Sequence, residues 1–187
     1  LEEHDPLKEV LAVNEDILGV YQYDAEKFFI DEYSPNRASI KIYWGVVGLI
    51  SQLLGCTVED LSTVVLVHEL GHAYTQLGAD IDGRRWPAWN FACAETGLKE
   101  GLAQYYTERV LTRLERRFGP ALEAYRKLLV HQPDVYKTHL PWIETYSPEV
   151  VRRAMLEVRR WNEGKLDDFN RRLADAQKQL DRTKVDA

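Results

Sequence analysis

Five consecutive residues, His68-Glu69-Leu70-Gly71-His72, contain the side chains that zinc chemistry uses. On an α-helix, residues four apart lie one above the other, so His68 and His72 can present two imidazoles to the same ion. Glu69 lies about 100° further around the helix, where it can take a proton from a water held by the metal. The pattern therefore predicts a Zn²⁺ site with His68 and His72 as metal ligands and Glu69 as general base.

The residues around this motif predict a buried helix. Five neighbours are uncharged: Val65, Leu66, Leu70, Ala73 and Tyr74. Burying the three polar side chains of the motif among them is costly unless a partner satisfies them, and a metal ion does so. The competing hypothesis is a core helix whose histidines make ordinary hydrogen bonds.

The stretch from Val65 to Tyr74 resembles the active-site helix of the zincin metallopeptidases. The later sequence Lys99-Glu100-Gly101-Leu102-Ala103 is similar to the second motif of their gluzincin branch, and small, minigluzincin-like peptidases are the closer analogy. The resemblance implies that Glu100 is the third zinc ligand and that a Tyr or His stabilises the oxyanion. The candidates for that second role are Tyr136, His131, His139 and Tyr146, followed by Tyr105 and Tyr106.

Two other carboxylates compete with Glu100 for the third ligand position. Glu95 lies five residues earlier, on a different helix face, and Glu108 lies two turns later. Glu100 is favoured because its helix face is lined by small or polar groups, which allow a close approach to the His68/His72 helix. These groups are Gly97, Ala103, Gln104 and Thr107, of which Gln104 or Thr107 is expected to brace a ligand from behind.

The order of predicted elements indicates an α+β, zincin-like fold, with a short antiparallel or mixed sheet, a backing helix, the metal helix and a helical C-terminal half. Short strands are predicted at 18–23, 28–31 and 38–44. Helices are predicted at 6–14, 46–54, 58–77, 92–117, 120–131, 148–161 and 166–182, with loops at 79–91 and 132–147. We expect one catalytic domain with subdomains at 1–78 and 79–187.

Composition narrows the classes of function. The 187 residues are 45% hydrophobic, which is ordinary for a globular chain. A net charge of −6 and the lack of a basic patch with interleaved aromatics disfavour nucleic-acid binding. A transmembrane segment and a signal peptide are not expected, which favours a cytoplasmic location. Cys56 and Cys93 are expected to be small core residues rather than a disulfide pair.

These observations predict a zinc-dependent peptidase that acts on a peptide or protein substrate. Two alternatives stay open: a proteolytically silent zinc-binding interaction module, and another zinc hydrolase built on the same core. The cluster Trp86, Trp89 and Phe91 is predicted either to line a substrate pocket or to anchor its loop in the core. The oligomeric state does not follow from the sequence.

Overall fold

The structure is a computed structural model that describes residues 17–23, 38–78 and 80–185. In these residues the fold is α+β and mostly helical. Strand β1 (Gly19–Tyr23) pairs with strand β2 (Ala38–Ile42) in an antiparallel ladder that places Tyr21 opposite Ile40. The helix predicted at 6–14 and the strand predicted at 28–31 lie outside the described residues.

Helices make up almost all of the described chain after β2, and a 3-10 helix covers Asp134–Lys137. The α-helices are α1 (Trp44–Leu54), α2 (Val58–Leu77), α3 (Ala88–Cys93), α4 (Thr96–Arg113), α5 (Glu115–His131), α6 (Leu140–Thr145), α7 (Pro148–Trp161) and α8 (Leu166–Val185).

Helix α2 carries the His-Glu-x-x-His motif and has the bounds that its sequence predicts. The Thr57 side chain accepts a hydrogen bond from the Asp60 N–H at 3.0 Å, which satisfies one of the free donors at the helix start. Gly78 follows the last helical residue, and its N–H donates to the Tyr74 carbonyl. The caps at Thr57 and Gly78 thus set where the helix that carries the motif begins and ends.

Several predicted boundaries are wrong, and local backbone features explain two of them. The predicted strand 38–44 ends at Ile42, because the Tyr43 carbonyl accepts hydrogen bonds from the N–H groups of Val46 and Val47 and so starts helix α1 at Trp44. The predicted loop 79–91 contains the start of α3, which begins at Ala88 directly after Pro87, a residue suited to a helix start.

The long helix predicted at 92–117 is divided. It begins at Thr96 and stops at Arg113, after which Leu114 has non-helical dihedrals (φ −103°, ψ 18°). A second kink follows at Phe118 (φ −121°, ψ 30°), two residues before Pro120. Proline disfavours helical geometry just before itself, so the break falls slightly earlier than the Gly119-Pro120 pair alone suggests.

Two hydrophobic clusters hold the described elements together. One joins α1, α2 and α5 around residues such as Ile50, Leu61 and Leu122. The other joins β1, α4, α6, α7 and α8. Helix α8 packs on the second cluster through apolar residues spaced three and four apart, namely Leu166, Phe169, Leu173, Ala176 and Leu180. Each cluster takes residues from both sides of residue 78, and the subdomain division there stays a prediction.

Helices α2 and α4 approach each other closely at Gly71. A Cβ atom at this position would lie 3.0 Å from both Cα and the carbonyl oxygen of Ala103. The Ala103 backbone could make room for such a Cβ only if the whole of α4 moved. Gly71 therefore allows the close approach of the two helices. The expectation that small residues bring the two helices together is confirmed at this point.

Two expectations about burial are wrong. Helix α2 is not buried all round, since Leu66 is 42% exposed and Leu70 is 50% exposed. Cys93 is exposed at the end of α3, and Cys56 is only partly buried.

Over the described ranges 17–23, 38–78 and 80–185, no single helix has the length and apolar character needed to cross a membrane. The pair α1 and α2 passes that test together but is bent by 118°.

Candidate metal site

Two histidines of α2 and one glutamate of α4 meet at one point of the structure. Nε2 of His68 lies 3.2 Å from Nε2 of His72. Oε2 of Glu100 lies 3.1 Å from the first of these nitrogens and 3.4 Å from the second. The three side chains keep between 10% and 14% of their surface exposed, so the point remains within reach of solvent.

The spacing of these three atoms suits a zinc ion. Ligands held about 2.0–2.2 Å from zinc at tetrahedral angles lie roughly 3.3–3.6 Å from one another. The observed separations of 3.1, 3.2 and 3.4 Å are close to that range. Two imidazole nitrogens and one carboxylate oxygen are also a donor set that catalytic zinc uses. The three residues therefore fit the ion in both geometry and chemistry.

Burial and the two histidines have opposite effects on the pKa of Glu100. Burial opposes ionisation of this carboxyl, but the neighbouring His72 imidazole and hydrogen bonds from His68 and His72 hold its pKa well below the usual range. A carboxylate that is buried in this way needs positive partners, and a divalent cation at the shared point would meet that need.

Glu69 is buried beside the sheet rather than beside the solvent. It is 4% exposed, and its Oε1 lies next to strand β1 at Gly19. A Cβ at position 19 would lie 3.2 Å from that oxygen, 3.0 Å from the Lys41 carbonyl and 2.6 Å from the Val65 side chain. Gly19 therefore leaves the space in which the Glu69 carboxylate is held, a role that nothing in the sequence around position 19 indicates.

We expect Gly19→Ala to reduce turnover by about tenfold or more while the protein still binds zinc, because a displaced Glu69 is misaligned but the three ligands are elsewhere. Gly48→Ala is the matched control, since a Cβ there meets nothing within 4 Å. Steady-state peptide hydrolysis and zinc content of both variants measure the effect. Loss of zinc from Gly19→Ala, or equal turnover in both variants, would contradict this role.

The two competing carboxylates are engaged elsewhere. Glu95 is exposed at the start of α4, and its Oε2 accepts a hydrogen bond from the Leu166 N–H at 2.8 Å. It thus satisfies a free donor at the first turn of α8. Glu108 lies 3.0 Å from His139. Neither belongs to the group with His68 and His72.

Of the oxyanion candidates, Tyr136 lies against the site. Its ring centroid is 6.1 Å from that of His68, and the residue is 4% exposed. Three other candidates have partners away from the ligands: Tyr105 accepts from Arg109, Tyr106 donates to Met155 Sδ, and His139 contacts Glu108. His131 is the last residue of α5, and Tyr146 packs against the second hydrophobic cluster.

The three aromatic residues between the two motifs differ in their burial. Trp86 is fully buried and Phe91 is 2% exposed, as expected for residues that anchor a loop in the core, whereas Trp89 is 62% exposed. The Phe91 ring also stands edge-on to His72, with the centroids 6.5 Å apart, and so supports this ligand.

The two side chains expected to brace a ligand make other bonds. Thr107 donates to the Ala103 carbonyl within its own helix, at 2.8 Å. The amide nitrogen of Gln104 donates to Gln132 at 3.2 Å. Bracing of a metal ligand by either residue stays a prediction.

Comparisons of this chain with known proteins do not identify its family. No family model, no curated protein and no solved structure matches the chain.

Proposed function

We propose that this protein is a zinc-dependent peptidase in which His68, His72 and Glu100 bind the metal. The observation that carries the proposal is the convergence of two imidazole nitrogens and one carboxylate oxygen at zinc spacing, on two helices in backbone contact. A zinc ion held by these three residues would keep a position open for water or substrate, as catalytic rather than structural zinc does.

Each residue has a separate part in the proposed reaction. When bound, zinc would polarise the peptide carbonyl and lower the pKa of a water molecule to roughly 7. Glu69 accepts the proton of the attacking water and passes it to the departing amine. Its burial beside β1 keeps this carboxylate in one orientation. Tyr136 donates its phenol proton in a hydrogen bond to the oxyanion.

We further propose a zincin-like fold, with an extended substrate lying along the small sheet. The support is the order of elements, in which the sheet precedes α1 and the ligand helix α2. Strand β1 passes the Glu69 carboxylate at Gly19, so a peptide aligned with the sheet would run past the general base. Main-chain hydrogen bonds to a strand would hold such a peptide without demanding particular side chains.

A quenched-fluorescence peptide library is the direct test of this function. We expect cleavage that stops when a chelator removes the metal and returns when one equivalent of Zn²⁺ is added. Elemental analysis of the untreated protein should show about one zinc per chain. A zinc-loaded protein that cleaves no peptide over a broad pH range would reject the peptidase and favour the silent zinc-binding module.

A further inference from the structure

The segment from Gln132 to Trp142 lies along α4, the helix that carries Glu100. Gln132 accepts a hydrogen bond from Gln104. At the other end, the Trp142 ring fills the space above Gly101, where an added Cβ would lie 2.6 Å from the ring. Between these two contacts the segment carries Tyr136, whose ring lies 6.1 Å from that of His68. The segment therefore forms one wall of the metal site.

A buried polar cluster fixes the middle of this segment to two helices. Nε2 of His139 lies 3.0 Å from Oε2 of Glu108 on α4 and 3.0 Å from the hydroxyl oxygen of Tyr125 on α5. The Tyr125 hydroxyl also donates to Glu108, at 3.4 Å. The His139 side chain is 0% exposed. The hydrogen bond from His139 lowers the pKa of Glu108 despite partial burial, so the cluster contains a carboxylate.

Tyr136 and His139 are coupled by the backbone between them. The 3-10 helix ends at Lys137, and Thr138 and His139 continue with helical dihedrals. In such a turn, side chains three residues apart lie on the same side of the helix. A displacement of His139 therefore displaces Tyr136 with it, since little chain separates them.

We propose that Glu108, His139 and Tyr125 form an anchor that positions Tyr136 at the metal site. The hydrogen bonds of this cluster are directional, so they fix one position of the segment on α4. Apolar packing alone would allow the segment to slide along the helix. The three anchor residues touch neither metal nor substrate, so they are positioning residues. The inference rests on the proposed function, because it assigns them a task in the same reaction.

The test compares four variants of the full chain with the wild type. Glu108→Ala removes the acceptor of the anchor, and Glu108→Gln keeps an amide oxygen in its place. Tyr125→Phe removes one hydroxyl. Tyr105→Phe is the matched control, because it deletes a hydroxyl from a buried tyrosine of α4 that bonds only to Arg109 among the described residues. For each protein we would measure zinc content, kcat and KM, and the ¹⁹F resonance of 3-fluorotyrosine introduced at position 136.

We expect Glu108→Ala to lower kcat about 10- to 100-fold with KM and zinc content nearly unchanged, as for a misplaced transition-state donor. Tyr125→Phe should show a smaller fall, Glu108→Gln should recover most of the loss, and Tyr105→Phe should match the wild type. The ¹⁹F resonance should shift or broaden only in the variants that lose kcat. An unchanged resonance in Glu108→Ala overturns the anchor, whether or not kcat falls.

The ¹⁹F comparison also separates this inference from the proposed function. A wild-type protein that binds zinc and cleaves nothing would reject the peptidase. In that case a resonance that moves in Glu108→Ala and returns in Glu108→Gln would still support the anchor. A resonance that stays fixed in both variants would reject it.

Discussion

Glu69→Gln is expected to abolish nearly all peptide hydrolysis while the protein keeps its zinc. An amide has almost the shape of a carboxylate but cannot accept the proton of the attacking water, and loss of a general base costs about 10²- to 10⁴-fold in rate. The side chain lies in a space bounded by Gly19 and Val65, which the amide can occupy without a new clash. The ligands His68, His72 and Glu100 are untouched by this change.

The measurement is kcat of the zinc-loaded variant beside its zinc content and melting temperature. Glu59→Gln is the matched control, since it makes the same substitution in the exposed first turn of the same helix. Surface substitutions of this kind change stability by about 0.5 kcal/mol or less. Equal hydrolysis by Glu69→Gln and the wild type would mean that the base is another group or that the activity comes from a contaminant.

Glu100→Ala is expected to weaken zinc binding, whereas Glu95→Ala is expected to lower the stability of the fold. Removing Glu100 deletes one of three ligands and should weaken zinc binding by more than about 100-fold, beyond the usual effect of losing a supporting residue. His68→Ala and His72→Ala should do the same. Removing Glu95 leaves the ligands in place but exposes the Leu166 N–H at the start of α8, which should cost about 0.5–1 kcal/mol of stability.

Competition with a chromophoric chelator gives the zinc affinity, and urea denaturation gives the free energy of unfolding. The two variants serve as controls for each other, because both remove a glutamate from the beginning of α4. Near-normal zinc affinity in Glu100→Ala, together with a large loss in Glu95→Ala, would overturn the ligand assignment and the resemblance to gluzincins.

The site was more predictable from the sequence than much of the fold around it. The spacing of His68 and His72 depends only on helical geometry, and the caps at Thr57 and Gly78 are local, so neighbouring residues are enough to infer this helix. The resemblance of its segment to a gluzincin motif predicts Glu100 as the third ligand, and the small residues on its helix face favour it over Glu95. The structure brings Glu100 to the two histidines as that choice expected.

Long-range partners were not predictable in this way. His139 was a candidate because of its residue type alone, whereas its contacts with Glu108 and Tyr125 join residues up to 31 positions apart. Gly19 has its role only because the fold places β1 beside Glu69. The exposure of Cys93 likewise depends on how the end of α3 lies in the fold, which the residue type alone does not indicate.

The contact between Gly71 and Ala103 implies a sequence signature for chains that build the same site. Gly71 follows His68 by three residues, and Ala103 follows Glu100 by three residues, so each small residue lies one turn beyond a ligand. A side chain at position 71 would meet the Ala103 backbone, push the helices apart and leave the carboxylate out of reach of the ion, and a larger side chain at position 103 would displace the neighbours that bury Ala103 completely. A distant chain with this centre should therefore combine His-Glu-x-small-His with Glu-x-x-small, whatever the length or composition of the segment between them.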